Sequence, residues 1–205
     1  MPNHFAQIHP VCDLTLRFRR HSSEEVMHGQ PSVIIKPYDP TWPTKFEIEK
    51  RLLTAVLAPW LLGPIEHIGS TAVPGLPAKP VIDILGPVRD LPSSKPAIEA
   101  LRPLSYCYFP YKPDLMHWFC KPNSFNRTHH LHLVPYGSQV WRERIAFRDC
   151  LRSDSAMRKA YTELKLKLAA QFRNDREAYT EAKTEFIQAT VERVSRKLHP
   201  CFSKG

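Results

Sequence analysis

The chain changes character at Ser138, and this change limits the possible folds more than any other feature of the sequence. Before Ser138 the apolar residues form short runs that prolines and glycines interrupt, which is typical of strands joined by turns. After Ser138 they recur every three or four residues over long stretches, which predicts helices. We therefore expect an α+β domain over residues 32–198, with a small mixed β-sheet and flanking helices in 32–137 and a helical half in 138–198.

The individual runs predict where these elements lie. A helix should follow Asp39 or Thr41, either of which can cap it, and should end before Pro59. A second, proline-interrupted helix is expected around 97–102, and the helical half should contain helices over 139–152, 155–172 and 176–197. Strands are expected at 33–35, 65–68, 81–85, 106–108, 118–121 and 130–134, with the mostly apolar run 81–85 at the centre of the sheet.

Positive charge is concentrated in the helical half. The chain has 29 Lys and Arg against 20 Asp and Glu, a formal net charge of +9, and most of the excess lies beyond residue 140. Such an excess favours an anionic partner, nucleic acid above all. The alternative is a set of ordinary solvated helix faces. In the helix over 155–172, one apolar stripe beside a basic face is formed by Ala156, Ala160, Leu164, Leu168 and Phe172.

The composition also excludes some classes of protein. No apolar run approaches the ~18–20 residues of a membrane-spanning helix, and 7 glycines with 10% aromatic residues do not fit a collagen or a low-complexity chain. The five cysteines show no C-x-x-C spacing and no apolar signal segment precedes them, so we expect reduced thiols and a cytoplasmic location. Residues 1–31 are interpreted as a tail or appendage, and residues 199–205 as a short tail.

The segment from His67 to Ile84 is the strongest candidate for a functional site. A strand ends in Gly69-Ser70, a loop with three prolines follows, and the next strand carries Asp83. A Gly-Ser turn can present backbone N–H groups and a hydroxyl to an anion, as phosphate-binding nests do. Asp83 would point into the same cleft, where it would hold a metal ion or act as a base. The alternative is a tight hairpin with one hydrogen-bonded aspartate.

Two histidines extend this candidate site. His130 and His132 are two residues apart on a predicted strand, so both point to one face of the sheet. With Asp83 they suit proton transfer near neutral pH. The alternatives are a site for zinc or a similar metal with His67 as a further ligand, and a histidine-rich strand packed under helices. Ser70 is a candidate nucleophile or hydroxyl donor, although Gly-Ser-Thr is not a nucleophile elbow and Ser70 would also suit a turn.

Other side chains near these strands are candidates for binding a substrate. Lys79 and Arg127 suit a phosphate or a carboxylate, and Trp118 suits either an aromatic wall or the core. Glu66 and Asp114 are spare acids that suit a cationic group such as guanidinium. The remaining candidates lie in and next to the Gly-Ser turn: His67, Gly69 and Thr71.

Residues 67–84 resemble the signature of the nucleotidyltransferase superfamily, in which Gly-Ser precedes an acidic pair on the next strand. More specifically, the chain resembles the GrpB family, whose second hallmark is matched by residues 127–134 and whose third begins at Trp141. This resemblance runs from Val33 to Val194 and implies a nucleotidyltransferase-like fold. The resemblance does not imply the metal site of that superfamily, because Leu85 occupies the second acidic position and residues 130–134 contain no carboxylate.

Within the GrpB family, the chain is similar to a branch of arginine-containing cyclodipeptide synthases. That resemblance implies an aminoacyl-tRNA-dependent enzyme that forms peptide bonds from arginyl-tRNA and a second aminoacyl-tRNA without a cofactor. Asp83, His130 and His132 would move protons, while Ser70 and the Gly69 backbone would contact the reacting ester. The basic residues expected to hold tRNA are Arg144, Arg148, Arg152, Arg158, Lys159 and Lys165.

Two alternatives to this function stay open. One is a nucleotidyltransferase of the GrpB type that uses ATP or another nucleoside triphosphate with magnesium or another divalent metal. The other is a non-catalytic module that binds RNA or a small ligand, in which Asp83→Ala would leave the function intact.

Overall fold

The computed structural model describes residues 32–198, which contain one five-stranded mixed sheet. Its strands are β1 (Glu66–Ile68), β2 (Ile82–Val88), β3 (Cys107–Phe109), β4 (His117–Lys121) and β5 (His129–Pro135). The order across the sheet is β1-β2-β5-β4-β3. Strands β2 and β5 are parallel and the other neighbours are antiparallel. The expected α+β fold with a mixed sheet is confirmed.

The helices of the described residues follow the expected division of the chain. The first half contains α1 (Trp42–Leu57), α2 (Leu91–Ser94) and α3 (Ala97–Ala100). The second half contains α4 (Gln139–Ser153), α5 (Ser155–Gln171), α6 (Arg176–Glu181) and α7 (Thr184–Leu198). None of the helices within 32–198 is both long and apolar enough to cross a membrane.

The two central strands, β2 and β5, point alternate side chains to opposite faces of the sheet. Ile82 and Ile84 of β2 pack with Leu131 of β5 against α1, in the largest apolar core. The intervening residues Asp83 and His130, which are directly paired across β2 and β5, point to the opposite face. A polar pair therefore occupies the middle of a sheet whose other face is apolar.

The helical half covers the face on which Asp83 lies. Residues Val140, Trp141 and Ile145 of α4 pack on Leu85 and its neighbours there. The loop that follows Ser70 packs into the same half, since Val73 and Leu76 join an apolar cluster with α4, α5 and α7. Sheet, loop and helices thus surround the Asp83 side chain, which is 29% exposed, and we call the partly open space above it the cleft.

Three of the expected elements differ from the structure. Residues 33–35 form no strand; Val33 packs on Leu168 and Tyr179, and only the next residue, Lys36, makes a single bridge, with Ala78. The helix expected around 97–102 is shortened, since prolines confine it to α3 and a 3-10 turn at Arg102–Leu104.

The single helix expected over 176–197 is broken into α6 and α7. The break at residues 182–183 lets Tyr179 pack on Leu168 while Phe186 packs on Tyr161 in a different apolar cluster. It also places Lys183 at a corner between the two helices, beside the Tyr179 ring.

Candidate functional site

The Gly-Ser turn and Asp83 are held together by the pairing of β1 with β2. Ile68 lies opposite Asp83 in the ladder, so the turn begins directly beside the carboxylate. Gly69 has φ +70°, a conformation that favours glycine. A Cβ atom at this position would lie 2.9 Å from the Asp83 Cβ and nearer still to its carboxylate. Glycine is therefore required both for the turn and for the close approach of the backbone to Asp83.

Asp83 forms a hydrogen bond with His130 across the central strands. The distance from His130 Nδ1 to Asp83 Oδ1 is 2.9 Å, which assigns the ring proton to Nδ1 and leaves Nε2 as an acceptor. Burial by itself raises the pKa of Asp83, but the hydrogen bond and charge of His130, with the nearby His132 and Lys79, hold that pKa well below its usual range. Burial lowers the pKa of His130, against the opposing effect of Asp83, so its ring is neutral at pH 7.

The acceptor nitrogen of His130 is unused within the described part of the chain. Its Nε2 atom is buried and has no hydrogen-bond partner there. Trp118 lies beside the ring, with 5.2 Å between the centroids, and the Arg127 guanidinium covers the indole at 5.2 Å. A buried acceptor without a partner is costly, and at a site it marks a position that a ligand can fill.

His132 follows on the same face but takes a different environment. It is buried, and burial holds its pKa well below the usual value, with the nearby Arg144 acting in the same direction. Its Nδ1 atom and the Arg144 Nε atom are both buried with no partner among residues 32–198. His132 therefore lines the inner end of the cleft as a neutral ring.

Three lysines converge on the cleft from different parts of the chain. Lys79 comes from the loop before β2, Lys165 from α5 and Lys183 from the corner between α6 and α7. The Lys79 and Lys183 ammonium groups lie 5.1 and 4.2 Å from the Tyr179 ring centroid. Lys165 is only 1% exposed, and its Nζ lies 3.2 Å from Ser70 Oγ and also donates to the Pro77 carbonyl.

These lysines are poorly solvated and repel one another. Burial lowers the pKa of Lys165 to about 7, and the charge of Lys183 acts in the same direction. Burial and the charge of Lys79 lower the pKa of Lys183 to about 7, against the opposing effect of Asp83. Lys79 falls to a pKa of about 8, chiefly through burial, although Asp83 opposes the shift. An anion between Lys79 and Lys183 would reverse the shifts of these two.

Positive charge exceeds negative charge around this carboxylate. No carboxylate oxygen within residues 32–198 lies within 4.0 Å of any of six cationic groups in and around the cleft. These groups belong to Lys79, Arg127, Arg144, Lys165, Arg176 and Lys183. Asp83 is near enough to raise the pKa of Lys79, Arg144 and Lys183, but one carboxylate does not balance such a set.

Several residues predicted for the site lie elsewhere. His67 points to the other face of the sheet, where its ring stacks on Phe46 at 4.6 Å and pairs with Thr71 Oγ1 at 3.1 Å. Burial lowers the pKa of His67 to about 4. Glu66 is already paired, because its carboxylate accepts a hydrogen bond from Arg148 at 2.7 Å. Asp114 is exposed in the loop between β3 and β4.

Two of the six basic residues predicted to hold tRNA are buried. Arg148 is buried between Glu66 and Asp149, and Lys165 is buried against Ser70. Arg152 donates to the Ala72 carbonyl, Arg158 to carbonyls of the α4 C-terminus, and Arg144 reaches the cleft. Lys159 alone of the six is both exposed and without a hydrogen bond among the described residues.

The apolar stripe predicted for α5 is confirmed at Leu164, Leu168 and Phe172 but is wrong at Ala156 and Ala160, and this hid Lys165. Ala156 and Ala160 are exposed, whereas Tyr161, Lys165 and Leu168 are the buried residues of the helix. Tyr161, Leu164 and Leu168 recur at three- and four-residue steps, and Lys165 lies between them on the inner side. That spacing was the sequence signal from which the burial of Lys165 could have been predicted. Lys183 had no such signal, because its position depends on the break between α6 and α7.

The donors around Asp83 do not fit a divalent metal such as magnesium. Leu85, at the second acidic position, is fully buried in an apolar cluster. Within residues 32–198 no three His, Cys, Asp or Glu side chains are placed to share a metal ion. The zinc alternative also lacks His67, which faces the other way. Magnesium prefers several hard oxygen ligands, and here the carboxylate is surrounded by cations instead.

Two other clefts among the described residues lack this charge arrangement. One of about 1000 Å³ lies along α2, α3 and β3, where Arg102 is paired with Glu99 at 3.0 Å. The other, of about 300 Å³, lies beside β1, where Arg148 is paired with Glu66 at 2.7 Å. The surroundings of Asp83 therefore stand out by unpaired charge and not by volume.

Comparison with known proteins gives consistent matches. Residues 32–193 match the family described as GrpB protein. The chain is 38% identical over 178 residues to UPF0157 protein PA4798 of Pseudomonas aeruginosa, covering 83% of this chain and 72% of the relative. It is 33% identical to Glutamate-rich protein GrpB of Alkalihalophilus pseudofirmus, covering 76% and 91%. The crystal structure of conserved protein GrpB from Enterococcus faecalis superposes with a TM-score of 0.73 at 30% identity, covering 80% of this chain and 99% of that chain.

These matches overturn the expected cyclodipeptide synthesis from aminoacyl-tRNA. The relatives that match most of the chain are named GrpB and UPF0157 proteins, and these names refer to no such activity. The structure removes a supporting argument as well, since Arg148 and Lys165 are buried and not displayed to a tRNA. The fold is nucleotidyltransferase-like, as expected. With a family match over residues 32–193 and relatives that agree along most of its length, the chain belongs to the GrpB family.

Proposed function

We propose that the cleft above Asp83 binds a small phosphorylated molecule without a protein-bound metal ion. The observation that carries this proposal is the set of six cations around one carboxylate, none of them ion-paired within the described residues. Lys165 is buried and the other five are half-buried, and removing cations from water without partners is costly because the desolvation is not repaid. A multiply charged anion supplies the missing partner, and phosphate groups suit Lys and Arg in such an arrangement.

The turn at Gly69-Ser70 supports a phosphate in particular. Its serine hydroxyl lies at the edge of the lysine cluster through the contact with Lys165, and Gly69 brings the backbone close to Asp83. The phosphate oxygens would lie between Lys79 and Lys183, which flank the Tyr179 ring. A carboxylate ligand would carry too little charge to balance this set.

Asp83 and His130 suit the other end of such a ligand. The oxygen of Asp83 that is not bonded to His130 is directed to the Gly69 side, where a ligand hydroxyl or amine can donate to it. The neutral His130 ring, oriented by Asp83, supplies a proton acceptor at this end of the cleft. We therefore propose group transfer from or to the phosphorylated ligand as the reaction that this pair serves.

Isothermal titration calorimetry with tripolyphosphate and with ATP tests the binding. We expect saturable binding of at least one of them in the presence of EDTA, and Lys183→Met should weaken it by about tenfold or more, since it removes a charged hydrogen-bond donor. Lys167→Met is the matched control, because Lys167 is exposed on α5. Binding that requires added magnesium, or that both variants weaken equally, would refute the proposal.

A further inference from the structure

Ser70 and Lys165 form a contact that the sequence did not suggest. The Lys165 Nζ lies 3.2 Å from Ser70 Oγ, within the range at which a base can take a proton from a hydroxyl. The two residues are far apart in the chain and are joined because α5 packs on the loop that follows the turn. Ser70 remains partly exposed, while Lys165 is only 1% exposed.

The surroundings of Lys165 suit a neutral amine. One N–H donates to the Pro77 carbonyl, and the Tyr161 ring lies 5.0 Å away, so the nitrogen lone pair is free to face the Ser70 hydroxyl. No carboxylate within residues 32–198 lies within 4.0 Å of the amine to hold it in the charged form. The charged group that acts on it is Lys183, which favours the neutral form and lowers the pKa together with burial.

We propose that Lys165 is the proton acceptor of Ser70, and that Ser70 Oγ is the nucleophile that attacks a phosphoryl group of the bound ligand. The bond between Oγ and phosphorus forms, and the bond between phosphorus and the leaving oxygen breaks. That oxygen keeps the electron pair, and the Ser70 proton passes to Lys165 Nζ. Lysine replaces histidine as the base in some serine enzymes. The choice of a phosphoryl group rests on the proposed anion site, whereas the pairing of Ser70 with Lys165 does not.

The competing role for Lys165 is structural. A charged lysine that donates to both Ser70 and Pro77 would fasten the loop and leave Ser70 an ordinary hydroxyl. The two roles differ in the reactivity of Ser70. An ordinary serine does not react with fluorophosphonates, whereas an activated one loses its proton, displaces fluoride and keeps the phosphonyl group.

The test is labelling of the full chain with an uncharged alkyl fluorophosphonate, followed by intact mass and peptide mapping. We expect one phosphonyl group, on Ser70, and none in Ser70→Ala. The labelling rate should rise with pH with a midpoint near the Lys165 pKa of about 7. Lys165→Met should slow it by about 100-fold or more, whereas Lys167→Met on the exposed side of α5 should not. Tripolyphosphate should protect Ser70.

The outcomes separate the two proposals. No label on Ser70, or a rate that is independent of pH in the wild-type chain, refutes the activated serine without depending on how Lys165→Met folds. Equal rates in Lys165→Met and Lys167→Met refute Lys165 as the base. Labelling of Ser70 with no calorimetric binding of tripolyphosphate would refute the anion site and the phosphoryl substrate, while supporting the pairing of Ser70 with Lys165.

Discussion

Binding of an anion in the cleft should be accompanied by uptake of protons. Lys183 has a pKa of about 7 and Lys79 a pKa of about 8 in the free protein, so at pH 7 Lys183 is about half protonated and Lys79 about nine-tenths protonated. A bound polyphosphate favours the charged form of both lysines and raises both pKa values. The two lysines together should therefore take up about 0.6 proton per ligand at pH 7.

The same reasoning gives the pH dependence of the affinity. Since the pKa values are higher in the complex than in the free protein, binding is favoured at low pH and weakens as pH rises. Between pH 7 and pH 8 the protonated fraction of Lys183 falls from about one-half to about one-tenth, which weakens binding roughly fivefold. That of Lys79 falls from about nine-tenths to about one-half, which adds roughly a factor of two, so the two together weaken binding roughly tenfold.

Calorimetry in buffers of different ionisation enthalpy measures the proton number directly. The observed binding enthalpy should change with the buffer enthalpy, with a slope of about 0.6 proton at pH 7. Lys183→Met removes the group that supplies most of this uptake, so its slope should be less than half that of the wild type. Because the ligand is the same, this comparison also removes the ligand's own titration. A binding enthalpy that does not depend on the buffer, or a slope that is equal in both proteins, would refute Lys79 and Lys183 as the ligand site.

Three substitutions test the geometry of the fold and the site. Gly69→Ala should destabilise the protein by about 1–3 kcal/mol in urea unfolding, because alanine meets Asp83 and resists the positive φ; unchanged stability would show that the turn relaxes. His130→Gln removes the 2.9 Å hydrogen bond, so the pKa of Asp83 should rise, and a carbon-13 NMR titration showing no change would contradict the pairing. Glu49→Ala removes the carboxylate that pairs with half-buried Lys121 and accepts from the buried Tyr106 hydroxyl, and should cost about 2–3 kcal/mol, against at most about 0.5 kcal/mol for exposed Glu47→Ala.

Local sequence patterns predicted the sheet well because its strands are short apolar runs between turn residues. The runs at 65–68, 81–85, 106–108, 118–121 and 130–134 all became strands, and the ends moved by only a few residues. The central position of 81–85 followed from its apolar character, as β2 has neighbours on both sides. The failure at 33–35 is of a different kind, since Val33 packs on Leu168 and Tyr179 rather than entering the sheet.

The site could be predicted only where it depends on neighbouring strands. Asp83 and His130 were both identified as candidates from their positions on two predicted strands, and β2 and β5 place them side by side. His67 was grouped with them wrongly, because a strand of three residues does not reveal which face a side chain takes without its register. The positions of the lysines depend on how three helices pack. Contacts between segments that are remote in the chain produce no local sequence pattern.

The apolar residue Leu85 helps to explain why lysines, and not metal ligands, surround Asp83. In the nucleotidyltransferase pattern that the sequence resembles, a second carboxylate two residues after the first helps to hold divalent metal ions that neutralise phosphate. Here that position points into an apolar cluster under α4, so the strand can no longer concentrate negative charge.

Without that second carboxylate, the negative charge of Asp83 alone, within residues 32–198, balances the cations at this point of the sheet. The helical half brings lysine side chains to the same cleft. Charge neutralisation of a phosphate can then come from the protein's own cations, whose protonation varies near pH 7, in place of metal ions whose charge is fixed. The affinity of such a site for phosphate should depend on pH, whereas that of a metal-dependent site depends on the concentration of the metal ion. Restoring the acid tests this argument: Leu85→Asp buries a second carboxylate and should raise the pKa of Asp83 without creating tight magnesium binding, because the surrounding lysines remain.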